Sequence, residues 1–322
     1  TLLGDDARAS ALELQCTRAG WMPIRLYELS TRRLLAAGKL LEARAAAKRL
    51  AAAADAPPVA PVLVASIEFA LGRYAFADEA LARLPDPTQL AAADRLRMAH
   101  VLVGLERWSD ARRAIDGLGP LPDSQQRVLN LVRAILAIQD GQYAVGLGIL
   151  DHLLAATPDD YDLLTWRGIA LLRAGQYQAA REALAVAQRD TSRPEAYYWL
   201  GVLEHAEGNA EAAEQALRRA LAADAAFAPA LEALGNVELQ RDQLADAVGY
   251  LTKAIEADPH RASAHFLLAI AHARASNRLE AENALREALR LDPALLEKAL
   301  RIEALTSLFS EDDLRTMTPR RE

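Results

Sequence analysis

Cysteine, aromatic residues and excess positive charge are all scarce in this 322-residue chain. Its single cysteine, Cys16, excludes an internal disulfide framework and any thiolate-rich metal site. Aromatic residues make up 5% of the chain, although hydrophobic residues as a whole make up 52%. The net charge of −7 argues against a surface that binds nucleic acid and against a basic patch that holds a membrane.

A long hydrophobic run is lacking as well. No uninterrupted apolar stretch is long enough to span a membrane, so we predict a soluble protein without direct membrane insertion. The first residue is Thr1 rather than methionine, which leaves open a signal or anchor ahead of it and the choice between cytoplasm and periplasm. The chain is rich in alanine, the best helix former, which also lets helices approach closely. This composition favours tightly packed helices over sheet.

A period of about 34 residues runs along the whole chain. Each period carries a tight turn followed, five residues later, by a small residue, as at Gly175 and Ala180. The turn residues recur at nearly equal steps: Gly38, Gly72, Glu106, Gly141, Gly175, Gly208, Asp242 and Ser276. Periods of this length are typical of stacked helical hairpins.

Each period reads as two amphipathic helices. In the segment 161–193, apolar residues recur at spacings of three, four and seven on both sides of Gly175. That glycine suits a helix C-cap, where a left-handed backbone would strain a residue with a Cβ. A proline then stops the second helix of several units, as in Thr157-Pro158, Asp258-Pro259 and Asp292-Pro293.

The units resemble tetratricopeptide repeats, whose pattern is an aromatic residue, Leu-Gly, a Gly-aromatic turn, an alanine and a closing proline. Leu234-Gly235, Ala247 and Pro259 follow that pattern in one unit. The resemblance implies an all-α fold, a right-handed α-solenoid of antiparallel helix pairs with terminal capping helices. We predict an N-terminal helix or cap in 1–23 and a C-terminal capping helix and flexible tail in 296–322. Between them we predict eight repeats, over 24–57, 58–91, 92–126, 127–160, 161–193, 194–227, 228–261 and 262–295.

The ends and the first three repeats depart from the regular pattern. We expect a helix over 5–19 and one capping helix over 294–309, followed by a short turn that Ser310 and Asp313 cap. Prolines near 85 and the glycine- and proline-rich segment 117–122 shorten two second helices. We expect those two joints to deviate from regular stacking.

The resemblance also implies a binding surface. In this family, ligand contacts come mostly from positions 2, 5, 9 and 12 of each repeat, on the concave face that the first helices line. Large exposed apolar patches usually mark an interface, so we predict that an apolar or amphipathic peptide segment lies there. Stronger curvature, or the chain's own N-terminal helix, would bury the same side chains instead. The predicted contact residues are Val62, Phe69, Leu96, Val103, Val128, Leu131, Ile135, Ile138, Ile169, Leu172, Tyr198, Val202 and Phe266.

The chaperone-tail clamp known in the family is not matched. A C-terminal carboxylate needs several converging donors from lysine, arginine and asparagine side chains. Asn236 is the only asparagine at the first asparagine position of that clamp, and Glu232 and Phe266 replace two of the other donors. We therefore predict that the chain does not bind chaperone tails.

Residues for catalysis, or for holding a metal or cofactor, do not come together in the sequence. His265 and His272 are two helical turns apart, about 10 Å along the axis, too far to share one metal. Gly146-Leu147-Gly148 falls inside a predicted second helix and lacks the strand and lysine of a phosphate loop. We predict no enzyme activity, no cofactor and no metal.

The leading interpretation is a noncatalytic scaffold or adaptor that binds a protein or peptide. Its alanine- and arginine-rich sequence is bacterial in style, and an envelope, secretion or polysaccharide-export assembly is a common setting for such arrays. One alternative is the regulatory arm of a larger enzyme, such as a glycosyltransferase or sulfotransferase. Another is a self-associating repeat protein, for example a homodimer.

Overall fold

The computed structural model describes residues 15–16, 23–82, 86–119 and 121–318. Within these ranges it has nineteen α-helices, a short 3-10 turn at Pro87–Gln89 and no β-strand. The chain divides into two compact units, Thr1–Ile149 and Leu150–Glu322. The helices are α1 (Ile24–Ala36), α2 (Leu40–Ala51), α3 (Ala60–Ala70), α4 (Tyr74–Leu81), α5 (Ala92–Gly104), α6 (Trp108–Ile115), α7 (Asp123–Gln139), α8 (Tyr143–Ala156), α9 (Tyr161–Arg173), α10 (Tyr177–Ala187), α11 (Pro194–Ala206), α12 (Ala210–Ala223), α13 (Ala228–Gln240), α14 (Leu244–Ala257), α15 (Ala262–Arg274), α16 (Arg278–Leu291), α17 (Leu295–Ala299), α18 (Glu303–Thr306) and α19 (Glu311–Thr316).

Consecutive helices pack as hairpins in each unit. In the first unit α1 packs on α2, α3 on α4 and α5 on α6; in the second unit the pairs are α9–α10, α11–α12, α13–α14 and α15–α16. The predicted all-α class of paired helices is confirmed. In each pair we call the helix that comes earlier in the chain the first helix of the hairpin and the one that follows it the second helix.

The hairpins turn through residues with a left-handed backbone. All eight turn residues that the period predicts have a positive φ, from 58° at Glu106 to 81° at Gly208. Five are glycines, which adopt this conformation without strain. Glu106, Asp242 and Ser276 adopt it despite their side chains, at a cost of roughly 1 kcal/mol each.

Three hairpins of the second unit close through the same contact. A glycine on the first helix faces a leucine on the second, and a Cβ on that glycine would lie 2.6 to 2.9 Å from the leucine Cγ. No Cβ fits at that distance, so the glycine lets the two helices approach. We call these contacts the glycine–leucine interlocks: Gly168–Leu184, Gly201–Leu217 and Gly235–Leu251.

Ion pairs between repeats are prominent in the first unit. Arg32 on α1 reaches past the second repeat and donates hydrogen bonds of 2.7 and 2.8 Å to the carboxylate of Asp94 on α5. The carboxylate of Glu68, a residue only 1% exposed, accepts a 2.6 Å bond from Arg44 Nε and lies 3.3 Å from Arg73 Nε. Because a lone buried charge is costly, these buried acids are stable only with their arginines.

The fourth hairpin begins earlier than the predicted start of its repeat at 127. Helix α7 starts at Asp123, directly after Pro122, which lies in an extended conformation at the N-cap. The glycine- and proline-rich segment ends α6 at Ile115 and leaves these residues free to start the next helix. The resulting α7 is 17 residues long.

The single capping helix predicted over 294–309 is wrong, because α17, α18 and α19 replace it. The breaks allow apolar side chains from all three segments to reach one cluster beside α15 and α16, including Leu305, Phe309 and Leu314. One straight helix could not turn all of these toward the same side. The predicted cap is confirmed, since Ser310 Oγ accepts a 3.1 Å bond from the Asp313 N–H.

Two predicted segments lie outside the described residues. They are the N-terminal helix over 5–19, apart from residues 15–16, and the tail from 319 onward.

Candidate functional site

The thirteen predicted contact residues all lie on first helices. In the first unit they lie on α3, α5 and α7, and in the second unit on α9, α11 and α15. Residues three and four apart on a helix share a face, so Tyr198 and Val202 of α11 point in similar directions. That a partner contacts these residues stays a prediction.

Eight of the thirteen are buried. Their exposed fractions are 8% or less: Val62, Leu96, Val103, Ile135, Ile138, Ile169, Leu172 and Phe266. Ile138 illustrates the cause, because its Cγ1 lies 2.6 Å from where a Cβ on Gly146 of the facing helix would be. Small residues on second helices bring the backbones together, and bulky side chains of the first helices fill the space between them. The expected apolar groove is therefore not exposed at these eight positions.

Five of the thirteen are half-buried and keep surface that a partner can contact: Phe69, Val128, Leu131, Tyr198 and Val202. Much of the Phe69 ring is already used in packing. It makes an edge contact with Tyr74 at 5.3 Å between ring centroids, and it occupies the space where Gly104 would carry a Cβ. Of the other four, Val128 and Leu131 lie on α7 and Tyr198 and Val202 on α11, and the α11 pair is chosen here as the candidate site because further aromatic rings adjoin it.

Tyr198 and Val202 are one turn apart on α11 and adjoin a second aromatic residue. The Tyr198 ring contacts Trp199 edge-on at 5.2 Å and Phe227 at 5.8 Å between centroids. The guanidinium carbon of Arg173, at the end of α9, lies 5.9 Å from the Trp199 ring centroid, within cation–π range. We call Arg173, Tyr198, Trp199 and Val202 the α11 patch.

The ion pair of Arg261 with Glu232 lies near enough to Tyr198 for the tyrosine to affect the pKa of Arg261. Arg261 Nε donates a 2.6 Å hydrogen bond to Glu232 Oε2. Burial alone would lower the pKa of Arg261, but the charge and hydrogen bond of Glu232 outweigh it, Tyr198 adds to their effect, and the pKa is raised. Arg261 is thus fully charged and neutralises Glu232, so this acid is not left to attract a cation.

Asn236 lies on α13, 34 residues after Val202, at the equivalent position of the next repeat. It is half-buried, and its side-chain amide makes no hydrogen bond to the part of the chain that the structure describes. An amide carries both donors and an acceptor, which match the N–H and C=O groups of an extended peptide. Val202 and Asn236 therefore offer an apolar contact and a polar contact at matching places.

Sequence reasoning selected Tyr198 and Val202 but missed the groups around them. The run Tyr197-Tyr198-Trp199 is the signal that would have added Trp199. Arg261 had no such signal, because it lies in a connection between repeats, 29 residues from its partner Glu232.

Groups of three or more histidine, cysteine, aspartate or glutamate side chains suited to a metal ion are absent from the described residues. Among the helices in those same ranges, none combines the length and apolar character needed to cross a membrane.

Family models of the tetratricopeptide repeat match residues 131–194 and 232–295, and a further model of this repeat matches 194–227. Together these matches cover half of the chain. The chain belongs to the tetratricopeptide repeat family. The matched region includes the α11 patch, Asn236 and all three glycine–leucine interlocks, so the candidate site is built from recognised repeats of this family.

Comparison with curated protein sequences finds no match. Among solved structures, the human IFIT1 dimer with PPP-AAAA has a TM-score of 0.58 at 15% identity, over 97% of this chain and 80% of its own. MamA has a TM-score of 0.41 at 25% identity, over 52% of this chain and 97% of its own. YrrB, described as a TPR protein with an unusual peptide-binding site, has a TM-score of 0.39 at 19% identity, over 56% of this chain and 94% of its own. The IFIT1 likeness shows a shared fold.

Proposed function

We propose that this tetratricopeptide repeat protein is a noncatalytic scaffold that binds an apolar or amphipathic peptide segment of a protein partner at the α11 patch. The observation that carries the proposal is that half-buried Tyr198 and Val202 on α11 are followed, at the equivalent position of the next repeat, by Asn236, whose amide makes no hydrogen bond to the described residues. An apolar side chain of the peptide would cover Tyr198 and Val202, and the amide would bond the peptide backbone.

The surrounding charges suit such a ligand better than an acidic one. Glu232 is paired with Arg261, and Arg173 lies over Trp199. This arrangement offers no set of converging free cations, so the prediction against chaperone tails is kept as part of the proposal. With a net charge of −7, we likewise propose no role in nucleic-acid binding.

Two wider parts of the sequence interpretation also stay proposals. The setting in an envelope, secretion or polysaccharide-export assembly rests on analogy with other repeat arrays. The alternatives are a regulatory arm of a larger enzyme and a homodimer, and the latter would show as a concentration-dependent mass in light scattering.

The test starts from peptides selected on the wild-type protein from a random 12-residue display library. Fluorescence polarisation then compares wild type with Val202→Glu and Asn236→Ala. We expect Val202→Glu to weaken the selected peptides by about tenfold or more, since a carboxylate would be desolvated against them, and Asn236→Ala by several-fold.

Tyr177→Ala is the matched control. Tyr177 is an exposed aromatic residue at the start of second helix α10, away from the first-helix positions, and its loss should leave affinity unchanged. Circular dichroism checks that each variant is folded. Peptides that bind Val202→Glu as tightly as wild type would refute the proposed site.

A further inference from the structure

A cleft in the second unit lies between the second helices of its last two repeats. It has a volume of about 390 Å³, within the range of roughly 300–1,000 Å³ that ligand sites occupy. Helices α14 and α16 form its walls and α15 its floor. We call it the α14–α16 cleft, and its apolar lining includes Ile255, Leu268 and Ala284.

The preceding repeat shows why this cleft is open. Tyr250 occupies the position equivalent to Ala284, 34 residues earlier, and its ring packs against the cluster that contains Leu231. Leu231 is in turn equivalent to His265, a lining residue of the α14–α16 cleft. A tyrosine therefore fills the earlier cleft, whereas an alanine leaves the last one empty.

The walls of the cleft are acidic. Glu256 on α14 and Glu280 on α16 line it, and neither forms a hydrogen bond or ion pair with the described part of the chain. The third lining acid, Glu287, is neutralised by Arg290 at 2.5 Å. At the position equivalent to Glu256, the preceding repeat has Ala222, so one of the two free charges is particular to the open cleft.

We propose that the α14–α16 cleft binds an arginine or lysine side chain presented by a protein partner. The aliphatic stem of such a side chain would lie on Ile255, Leu268 and Ala284, and its cation would bond the free carboxylates of Glu256 and Glu280. Complementary charge together with an apolar floor selects this ligand over a neutral or acidic one. The cleft lies among second helices, so the proposal does not rest on the function proposed for the α11 patch.

The test titrates N-acetyl-arginine amide into the full chain and follows the methyl resonances of Ile255 and Leu268 by NMR. N-acetyl-citrulline amide, which has nearly the same shape without the charge, is titrated in parallel. We expect saturable shifts with the arginine compound and roughly tenfold weaker binding of the citrulline compound. Equal binding of the two compounds would overturn the proposal.

Three variants locate the effect. Glu256→Gln with Glu280→Gln should weaken binding by roughly fivefold, and both changes lie on exposed positions that the fold tolerates. Ala284→Tyr should abolish the shifts, because it copies the filled arrangement of Tyr250. Asp246→Asn is the matched control, since Asp246 is the exposed acid equivalent to Glu280 in the filled cleft. A loss of binding in Asp246→Asn equal to that of the double variant would contradict the site.

Two further arms decide the source of the cation. In the first, spermidine is titrated in the same way. If it binds at least tenfold more tightly than the arginine compound, the cleft is a polyamine site, and the proposal that it binds a partner's side chain is overturned. Removal of residues 319–322, which include Arg320 and Arg321, tests the chain's own tail. If the arginine compound binds only after this removal, the tail itself occupies the cleft and the proposal of a partner side chain is overturned. If its affinity is unchanged by the removal, the proposal of a partner side chain is supported.

Discussion

The hairpins of the two units close differently. In the second unit, three consecutive hairpins use the same glycine–leucine interlock. In the first unit, the positions equivalent to those glycines hold Thr31, Ala65, Ala99 and Ala134, and no interlock of that kind forms there among the described residues. The first unit instead has the Phe69 ring over Gly104 and the long reach of Arg32 to Asp94.

Ion pairs between repeats, in contrast, occur in both units. In four of these pairs, the first residue lies on a second helix and the other lies in the next repeat. The second helix supplies the arginine in Arg44–Glu68 and Arg181–Glu204. It supplies the acid in Asp78–Arg107 and Glu214–Arg241. The second-helix member of each pair keeps one position, six residues after the hairpin turn, whereas its sign and the position of its partner in the next repeat change. A glycine–leucine interlock needs the same residue type at each position, so it leaves a constant sequence pattern. An ion pair can form with either sign at a given position, so it leaves no such pattern.

The largest expected effect is on the buried acid of the first unit. Replacing both Arg44 and Arg73 with methionine leaves the Glu68 carboxylate buried without a cation. We expect the free energy of unfolding to fall by about 3 kcal/mol, measured by urea denaturation.

The comparison in the second unit is Arg181→Met. Glu204 then still accepts a 2.8 Å hydrogen bond from Asn209 Nδ2, so we expect a smaller loss of about 1 kcal/mol. Equal losses in the two variants would mean that burial of Glu68 is not what makes its partners important.

A smaller effect is expected at an interlock. In Gly235→Ala the new Cβ would lie 2.6 Å from Leu251 Cγ, and relief of that overlap should cost about 2 kcal/mol of unfolding free energy. Gly249→Ala, on α14 of the same hairpin, meets nothing within 4 Å and should gain up to about 1 kcal/mol from helix propensity. Opposite signs in the two urea titrations are the expected result. A loss in both variants would argue against the steric contact.

The smallest effect concerns the turns that use a side chain where glycine is preferred. Glu106→Gly removes the left-handed strain at φ 58° and should raise the free energy of unfolding by about 0.5 kcal/mol. Asp242→Gly, in the second unit, also loses the 2.7 Å contact with Arg274 and should gain less. Thermal denaturation compares the two, and a destabilised Glu106→Gly would show that its side chain has a role of its own.

Much of the fold could be predicted because it follows from local rules. The turn residues predicted by the period all have positive φ, and Ser310 caps α19. The break of the capping helix could not be predicted, because it depends on Leu305 and Leu314 reaching one cluster with α16. Local helix propensity in that segment gives no sign of such a tertiary demand.

The candidate site was less predictable than the fold. Positions taken from the family pattern selected Tyr198 and Val202, which are half-buried, but the same rule selected Ile138 and Phe266, which are buried. How far a side chain is covered depends on the size of its neighbours, and Gly146 beside Ile138 is one example. The position of a residue within a repeat determines which way its side chain points from the helix, but it does not determine how exposed that side chain is.

The ion pairs between repeats also constrain the order in which the repeats can follow one another. Excision of 194–227 would bring Arg181 opposite Glu238, the equivalent of Glu204, so one of its two charge pairs is kept while Arg241 replaces Glu207. Excision of 228–261 would instead leave Glu214 facing the next repeat, which has Ala275 where Arg241 stood. Repeats of the same shape are thus not freely exchangeable, and duplication or loss of a repeat during evolution would be tolerated at some junctions and penalised at others.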